Sequence, residues 1–264
     1  MLTSYHVHSN LSDGIADMEQ MVLAAIGAEL NEVGISDHYL MLPDGHTLDW
    51  SMPLDYLPQY VEKVLALKDK YKEDIVVRLG IEADYQPDTV EELRSKLAEF
   101  PFDYVLGSVH IVDGFPIDDA PDYWEAIDQD RRNHISSTYW DRIKELADSR
   151  VFDIAGHLDL HKKFAYLPTI DLTDKIDTAL DSIAAAGMCL ELNTSGWHKP
   201  IKEQYPSEKI LRGCLTRGIR VIVTADAHEP EHIRRDFEKA TALISELGIT
   251  GEICYQARLT HIIS

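Results

Sequence analysis

Short apolar runs of β type alternate along this chain with longer stretches in which apolar residues recur every three or four positions. The runs are residues 3–8, 32–36, 75–82, 104–110, 152–157, 188–193 and 220–225. Helical patterns fill the gaps: "MEQMVLAAIGAEL", "LPQYVEKVLALKDKY", "TVEELRSKLAEF", "SSTYWDRIKELADS", "KIDTALDSIAAAG" and "SEKILRGCLTRG". "EHIRRDFEKATALISELG" follows the last run. Strand–helix alternation predicts an α/β fold of parallel strands joined by right-handed crossovers. Seven such units favour a barrel over an open sheet. A final "TGEICYQARL" is expected to be an edge strand or a closing segment. No repeat, low-complexity segment or Ser/Gly/Pro-rich linker interrupts the pattern, so residues 1–264 read as one domain. Two connections are long, 39–55 and 113–130, and long connections inside a compact domain are often lids or binding loops.

Nearly every predicted strand ends at a residue able to bind a metal. The first carries His6 and His8, and the second ends at Asp37 and His38. Glu82, His110 and His157 end the next three, and the seventh runs into Asp226 and His228. In a parallel barrel these ends meet on one face, where active sites form. Residues i and i+2 of a strand share a face, so His6 and His8 both point inward; the same holds for Asp226 and His228 if extension continues that far. One histidine at a strand end is ordinarily a hydrogen-bonded core or rim residue. Five strand ends acquiring imidazoles independently would leave many buried polar groups without partners, and divalent cations supply them. Imidazole and carboxylate without thiolate point to Zn, Mn or Fe rather than Ca or Mg. With Asp13 in the loop after His8, nine candidates suffice for three ions, and Glu82 is the natural bridge because a carboxylate has two oxygens. His46, His134, His161, His232 and His261 lie on loops or helical patterns and are expected outside the ligand set.

Charge and cysteine content narrow the function. The formal net charge of −21 opposes nucleic-acid phosphates and favours solubility. It also demands a strong local positive source if the substrate is an anion, and bound cations are one. No apolar run approaches the ~18 residues of a membrane span, and no basic-then-apolar leader is visible at the N-terminus. Cys189, Cys214 and Cys254 stand far apart and are expected as buried small hydrophobes in a reduced, cytoplasmic protein. Neither a nucleic-acid nor a membrane partner is expected.

The segments "HVHSNLSDG", "GISDHY", "GIEADY", "GSVH", "GHLDL", "ELNTSG" and "TADAHEP" occur in the order typical of PHP phosphoesterases. The chain resembles that superfamily from Tyr5 to about Ala240, and most of all its histidinol-phosphate phosphatase branch. The resemblance implies a distorted (β/α)7 TIM-like barrel with three divalent metals. It implies a first metal on His6, His8, Glu82 and Asp226, and a second on Glu82, His110 and His157. A third would sit on Asp13, His38 and His228, with Asp13 at a position that is histidine in some relatives. Arginines that follow "HxDL" and "NTSG" in that branch correspond here to the segments His161-Lys162-Lys163 and Trp197-His198-Lys199. Lys162 and His198 are expected to meet the phosphate there; Lys163 and Lys199 read equally as solvated loop cations. Lysine keeps the charge but loses the arginine fork.

The implied reaction is hydrolysis of L-histidinol phosphate to L-histidinol and phosphate, in histidine biosynthesis. Two metals about 3.5–4 Å apart would hold hydroxide at neutral pH for in-line attack. Glu82, Asp226, Lys162 and His198 are the candidate catalytic residues. Asp44, Asp49, Asp118 and Asp119 on the long loops would accept the substrate ammonium, while Trp50 and Trp197 read chiefly as loop anchors. Another small phosphorylated metabolite is the main alternative substrate. A nuclease is disfavoured by the acidic charge, and a dead scaffold by the full ligand set.

Overall fold

The computed structural model describes the backbone of residues 2–249, 252–256 and 259–263 and the side chains of 2–249. Its strands, in chain order, are β1 (Thr3–Ser4), β2 (Glu32–Ile35), β3 (His38–Tyr39), β4 (Val76–Leu79), β5 (Glu82–Asp84) and β6 (Leu106–Ser108). A small hairpin, β7 (Ile111–Val112) and β8 (Phe115–Pro116), precedes β9 (Ile154–Ala155), β10 (Cys189–Asn193) and β11 (Val221–Thr224). β2 with β3, and β4 with β5, are two staves each broken by a kink. The ladders run β1–β2–β4 and β3–β5–β6–β9–β10–β11, all parallel. The two arcs join through the kinked staves, where Gly80 N–H donates to Ile35 O (2.9 Å) and Glu82 N–H to Asp37 O (3.2 Å). The ends meet at a single bridge between Val7 and Ala227, with His8 N–H donating to Ala227 O (2.9 Å) and Ala227 N–H to His6 O (3.1 Å). The result is a distorted seven-stave TIM-like barrel.

Helices cover its outside: α1 (Met18–Gly27), α2 (Leu57–Lys70), α3 (Val90–Leu97), α4 (Pro121–Glu125), α5 (Gln129–Ser149), α6 (Thr173–Ala186), α7 (Glu208–Thr216) and α8 (Phe237–Glu246). Each of the seven predicted helical patterns corresponds to one of them. α1 is opened by a capping box between Asp17 and Gln20. α5 begins seven residues before the apolar pattern, because the Asp128 side chain caps Arg131 N–H. The 113–130 connection is therefore partly ordered, holding β8 and α4. The final pattern was expected as one helix but is split: a short turn at Pro230–His232 precedes α8, and Asp236 between them is left-handed (φ 62°). Within the expected closing segment, Glu252–Gln256 pairs antiparallel with Leu259–Ile263; residues 250, 251, 257 and 258 lie outside the described residues.

Side chains contributed from around the ring fill the barrel: Tyr5, Tyr104, Leu106, Ile154, Cys189 and Ile222 form their own cluster. Tyr104 enters because the kinked staves have glycine where it passes. A Cβ on Gly34 or on Gly80 would stand 2.1 Å from a Tyr104 atom. The Tyr104 hydroxyl donates to Tyr5 O at 2.6 Å. At the N-terminal ends of the strands, buried Arg78 grips Glu32 through Nε and Nη2 (3.0 and 2.8 Å), and the Tyr5 hydroxyl donates to the same carboxylate (2.7 Å). Cys189 and Cys214 are buried, and Cys254 lies outside the described side chains. Among the described residues no helix is long and apolar enough to cross a membrane.

Candidate metal centre

All nine predicted ligands gather at the C-terminal ends of the strands. Glu82 is at the middle and is 1% exposed. His38 and Glu82 are register partners on adjacent staves. Glu82 Oε2 lies 3.1 Å from His6 Nε2, 3.4 Å from His8 Nε2 and 2.9 Å from His38 Nδ1. Its Oε1 lies 2.9 Å from His157 Nε2 and 3.7 Å from His110 Nε2, and accepts from Ser108 Oγ at 2.5 Å. Asp226 Oδ1 sits 3.2 Å from His8 Nε2 and 3.4 Å from His6 Nε2. At the rim, Asp13 Oδ2 is 3.1 Å from His228 Nε2, and Asp13 Oδ1 is 3.7 Å from His38 Nε2.

These atoms form four overlapping groups: His6–His8–Asp226, His6–Glu82–His157, His38–Glu82–His110 and His8–Asp13–His38–His228. Glu82 belongs to two of these groups, with His6 and His157 and with His38 and His110, so the groups cut across the first two sets implied by the resemblance. The third gains His8, whose Nδ1 is 3.8 Å from Asp13, and His38 faces Glu82 as well as Asp13. Side-chain exposure grades from 0% at Glu82 to 32% and 34% at Asp13 and His228, so one end of the cluster is sealed and the other open.

The donors fit divalent cations. Among the described residues, buried His8 Nδ1 and Nε2 and His38 Nδ1 have no hydrogen-bond partner, although carboxylate oxygens stand close to them. Lone pairs that converge without a donor between them are what an ion satisfies. Charge is distributed accordingly. Burial pushes the Glu82 and Asp226 carboxyls up, yet the surrounding imidazoles hold both well below the usual carboxylate range. Burial likewise works against protonating His110, but Asp84 and Asp118 raise it to about 10. Burial, with the rings of His228 and His38, drives His8 down to about 3.

Local devices place several of these side chains. Asp37, expected among the ligand-capable strand ends, is a loop anchor: it accepts from Ser9 N–H (2.7 Å), Ser9 Oγ (2.7 Å) and Ser12 Oγ (2.6 Å). That curls the 9–14 loop so that Asp13 returns to His8. Gly14 permits the curl, since a Cβ there would stand 2.8 Å from His8 O. Strand alternation does not extend to Asp226. β11 ends at Thr224, and Asp226 turns inward in a left-handed conformation (φ 52°), with Asn193 Nδ2 donating to its Oδ2 at 3.2 Å.

Two carboxylates outside the predicted set orient the rings. Glu191, within β10 and fully buried, lies 2.9 Å from His6 Nδ1 and accepts from His157 N–H (2.5 Å), Asn193 Nδ2 (3.1 Å) and Thr224 Oγ1 (2.8 Å). Asp84 lies 2.8 Å from His110 Nδ1 and accepts from His110 N–H at 2.9 Å. Fixing the far nitrogen of a ligand histidine sets its tautomer and aims the other nitrogen.

A cavity of about 540 Å³ opens over the cluster. Lys163, Lys199, Arg235, His198 and His232 line it, together with Asp118, Ser195, Tyr205 and Glu229. The Lys162 assignment is corrected here. Its ammonium is buried in an ion pair with Asp159 (3.1 Å) and Glu203 (2.5 Å) and is not on the cavity wall. Its neighbour Lys163 is on the wall, bonded to Asp118. His198 is on the wall, held by Asp236 at 2.5 Å. Arg235, not singled out from sequence, arrives at the wall just before the left-handed Asp236 and touches His232 Nε2 at 2.8 Å. Asp44, Asp49 and Asp119 are absent from the lining; Asp118 is present. Trp50 packs edge-on against His38 and His110 with ring centroids 5.0 and 5.4 Å apart, as an anchor would.

An α/β barrel whose strand ends converge imidazoles and carboxylates under a cavity lined by both lysines and carboxylates fits a protein that holds divalent ions. The chain belongs to the PHP domain family, whose profile matches residues 4–195. A Deinococcus radiodurans protein described as a probable histidinol-phosphatase is 32% identical over 251 residues, 94% of each chain. The histidinol-phosphatase of Lactococcus lactis is 24% identical over 92% of this chain and 90% of its own. The crystal structure of histidinol phosphate phosphatase from that organism, complexed with zinc, L-histidinol and phosphate, superposes with a TM-score of 0.79. That match is at 20% identity and covers 98% of both chains, which establishes likeness of fold.

Proposed function

We propose that this protein is a divalent-metal-dependent phosphomonoesterase that converts L-histidinol phosphate and water to L-histidinol and phosphate. The observation that carries the reading is the convergence of nine metal-capable side chains beneath a cavity whose wall sets Lys163, Lys199 and Arg235 beside its carboxylates, in a chain of net charge −21. The full-length likeness to a described histidinol-phosphatase supports the choice of substrate. Three ions fit the donor count, with Glu82 shared between two of them, and zinc, manganese and iron suit these ligands. Divalent ions held there would supply Lewis acidity and lower the pKa of water so that hydroxide is available near neutral pH.

The chain's own groups would do the rest. Lys163, Lys199 and Arg235 draw the phosphate into the cavity and offset charge on its non-bridging oxygens. His198, steadied by Asp236, adds a donor. Water oxygen bonds to phosphorus as the P–O ester bond breaks, and the departing alkoxide takes a proton to become the alcohol. Asp118 and Glu229 are cavity carboxylates outside the ligand set, suited to the substrate ammonium.

One observation favours a second reading, a PHP phosphoesterase acting on another small metabolite. The wall carries lysines and a histidine at the segments where the resemblance implies arginines. Steady-state kinetics on histidinol phosphate beside sugar and aryl phosphates, with metal content measured, separates the two. A strong preference for histidinol phosphate is the expected result. Equal weak rates on every ester would reject that substrate.

A further inference from the structure

Beyond the metal ligands and the cations, the cavity contains one buried polar group that nothing in the protein uses. Tyr205 lines the cavity and is 1% exposed, and its hydroxyl oxygen has no hydrogen-bond partner among the described residues. The ring is held firmly. Its backbone pairs with Asn193 at the end of β10, through Tyr205 N–H to Asn193 O at 3.0 Å and Asn193 N–H to Tyr205 O at 2.7 Å. One ring edge lies on Gly196, where a Cβ would come within 3.0 Å of Cε2. The Lys162 ammonium lies 5.6 Å from the ring centroid. The buried Lys162 ion pair thus serves as a buttress for Tyr205.

A buried hydroxyl without a partner is rare in folded proteins and points to a ligand or an ordered water. Burial, followed by the charges of Asp159, Asp118 and Asp226, pushes its ionisation above the ordinary tyrosine range. What it faces follows from the wall around it. Ser195, His198 and Lys199 come from the same 194–205 segment, and Lys163 is tied to that segment by Ile201 N–H donating to Lys163 O at 3.2 Å. On this wall Lys163, bonded to Asp118, and Lys199 offer cations to a phosphoryl oxygen, and the Tyr205 hydroxyl offers a donor beside them.

We propose that the Tyr205 hydroxyl donates a hydrogen bond to a phosphoryl oxygen of the bound ester and of the phosphate product. This rests on the phosphatase reading above and adds a residue to it. The donor carries no charge, so it orients the phosphoryl group without adding to the repulsion between neighbouring lysines.

The test is Tyr205→Phe in the zinc-loaded protein, titrated calorimetrically with inorganic phosphate and assayed on histidinol phosphate. Losing a hydrogen bond to a charged group weakens phosphate binding by about 10- to 100-fold. kcat/KM is expected to fall by a similar factor, with zinc content and inhibition by L-histidinol unchanged. Thermal unfolding without phosphate supplies a second readout: removing a hydroxyl that bonds to nothing leaves the melting temperature equal or higher. Unchanged phosphate affinity, or a lowered melting temperature with unchanged phosphate affinity, would overturn the assignment. So would weakened inhibition by L-histidinol with phosphate binding intact. Wild-type protein that binds phosphate through Tyr205 but does not cleave histidinol phosphate would instead reject the substrate reading and leave this one standing.

Discussion

Glu191 shows how a residue outside the predicted ligand set can order the centre. Its two oxygens engage His6, the His157 backbone, Asn193 and Thr224, so two ligand histidines depend on one carboxylate. Glu191→Gln keeps the shape and removes the charge. The expected result is zinc affinity lowered about 10- to 100-fold in a chelator competition, with far-UV circular dichroism unchanged. The clustering of these side chains was legible because strand ends carrying imidazole are conspicuous. Glu191 and Asp84 were not, since a carboxylate inside a strand shows its role only when its partners are known. That Lys163 and not Lys162 lines the cavity was hidden for a similar reason: adjacent lysines in a turn point to different sides, and sequence does not say which. The far end of the barrel supplies a control. Removing one member of a buried ion pair costs about 3–5 kcal/mol. Arg78→Ala is therefore expected to lower unfolding stability in urea by that order, while the zinc affinity of the folded protein stays the same.

At the scale of elements, strand–helix alternation was readable because each face of each element has its own apolar period. Helix ends shifted where a side chain rather than the pattern decides them, as Asp128 does for α5. The break before α8 was invisible in the apolar spacing. Its cause is Asp236, which turns left-handed and grips His198, so Arg235 reaches the cavity instead of continuing a helix. Packing between staves is equally specific. Gly34→Ala would drive a methyl to within 2.1 Å of Tyr104 atoms. Overpacking of this kind costs about 1–3 kcal/mol or more. A measurable loss of stability is expected, and Gly34→Ala combined with Tyr104→Phe should recover part of it, because the nearest atom is the Tyr104 hydroxyl oxygen. No recovery in the double variant would show that the clash is not with that group.

At the scale of the whole molecule, seven units could be counted from sequence, but the closure could not. The ring is completed between its first and last staves by one bridge at Val7 and Ala227, flanked by His6, His8, Asp226 and His228. On the proposed reading the seam of the barrel would also seat the ions, and metal binding should tighten the fold. Protons must leave first. In the metal-free protein, opposing a burial that lowers them, Asp84 and Asp118 carry His110 to about 10, and Asp13 and Asp226 carry His228 to about 9. Both then hold a proton near neutrality that an ion displaces. Zinc titration at pH 7.5 should accordingly release protons, seen as a heat that varies with buffer ionisation enthalpy; a buffer-independent heat would contradict this. The sign for the metal-free fold follows. These raised groups contribute stability that is complete below about 6.5 and is lost as pH rises through about 9–10, and alkaline melting of stripped protein checks it.

The most direct measurement is a zinc titration of thoroughly metal-stripped protein, following hydrolysis of histidinol phosphate against ions bound per chain. Activity should be absent at the start, rise only as the sites fill, and level off near three ions. Full turnover in the stripped protein, or saturation of binding without any turnover, would contradict the account.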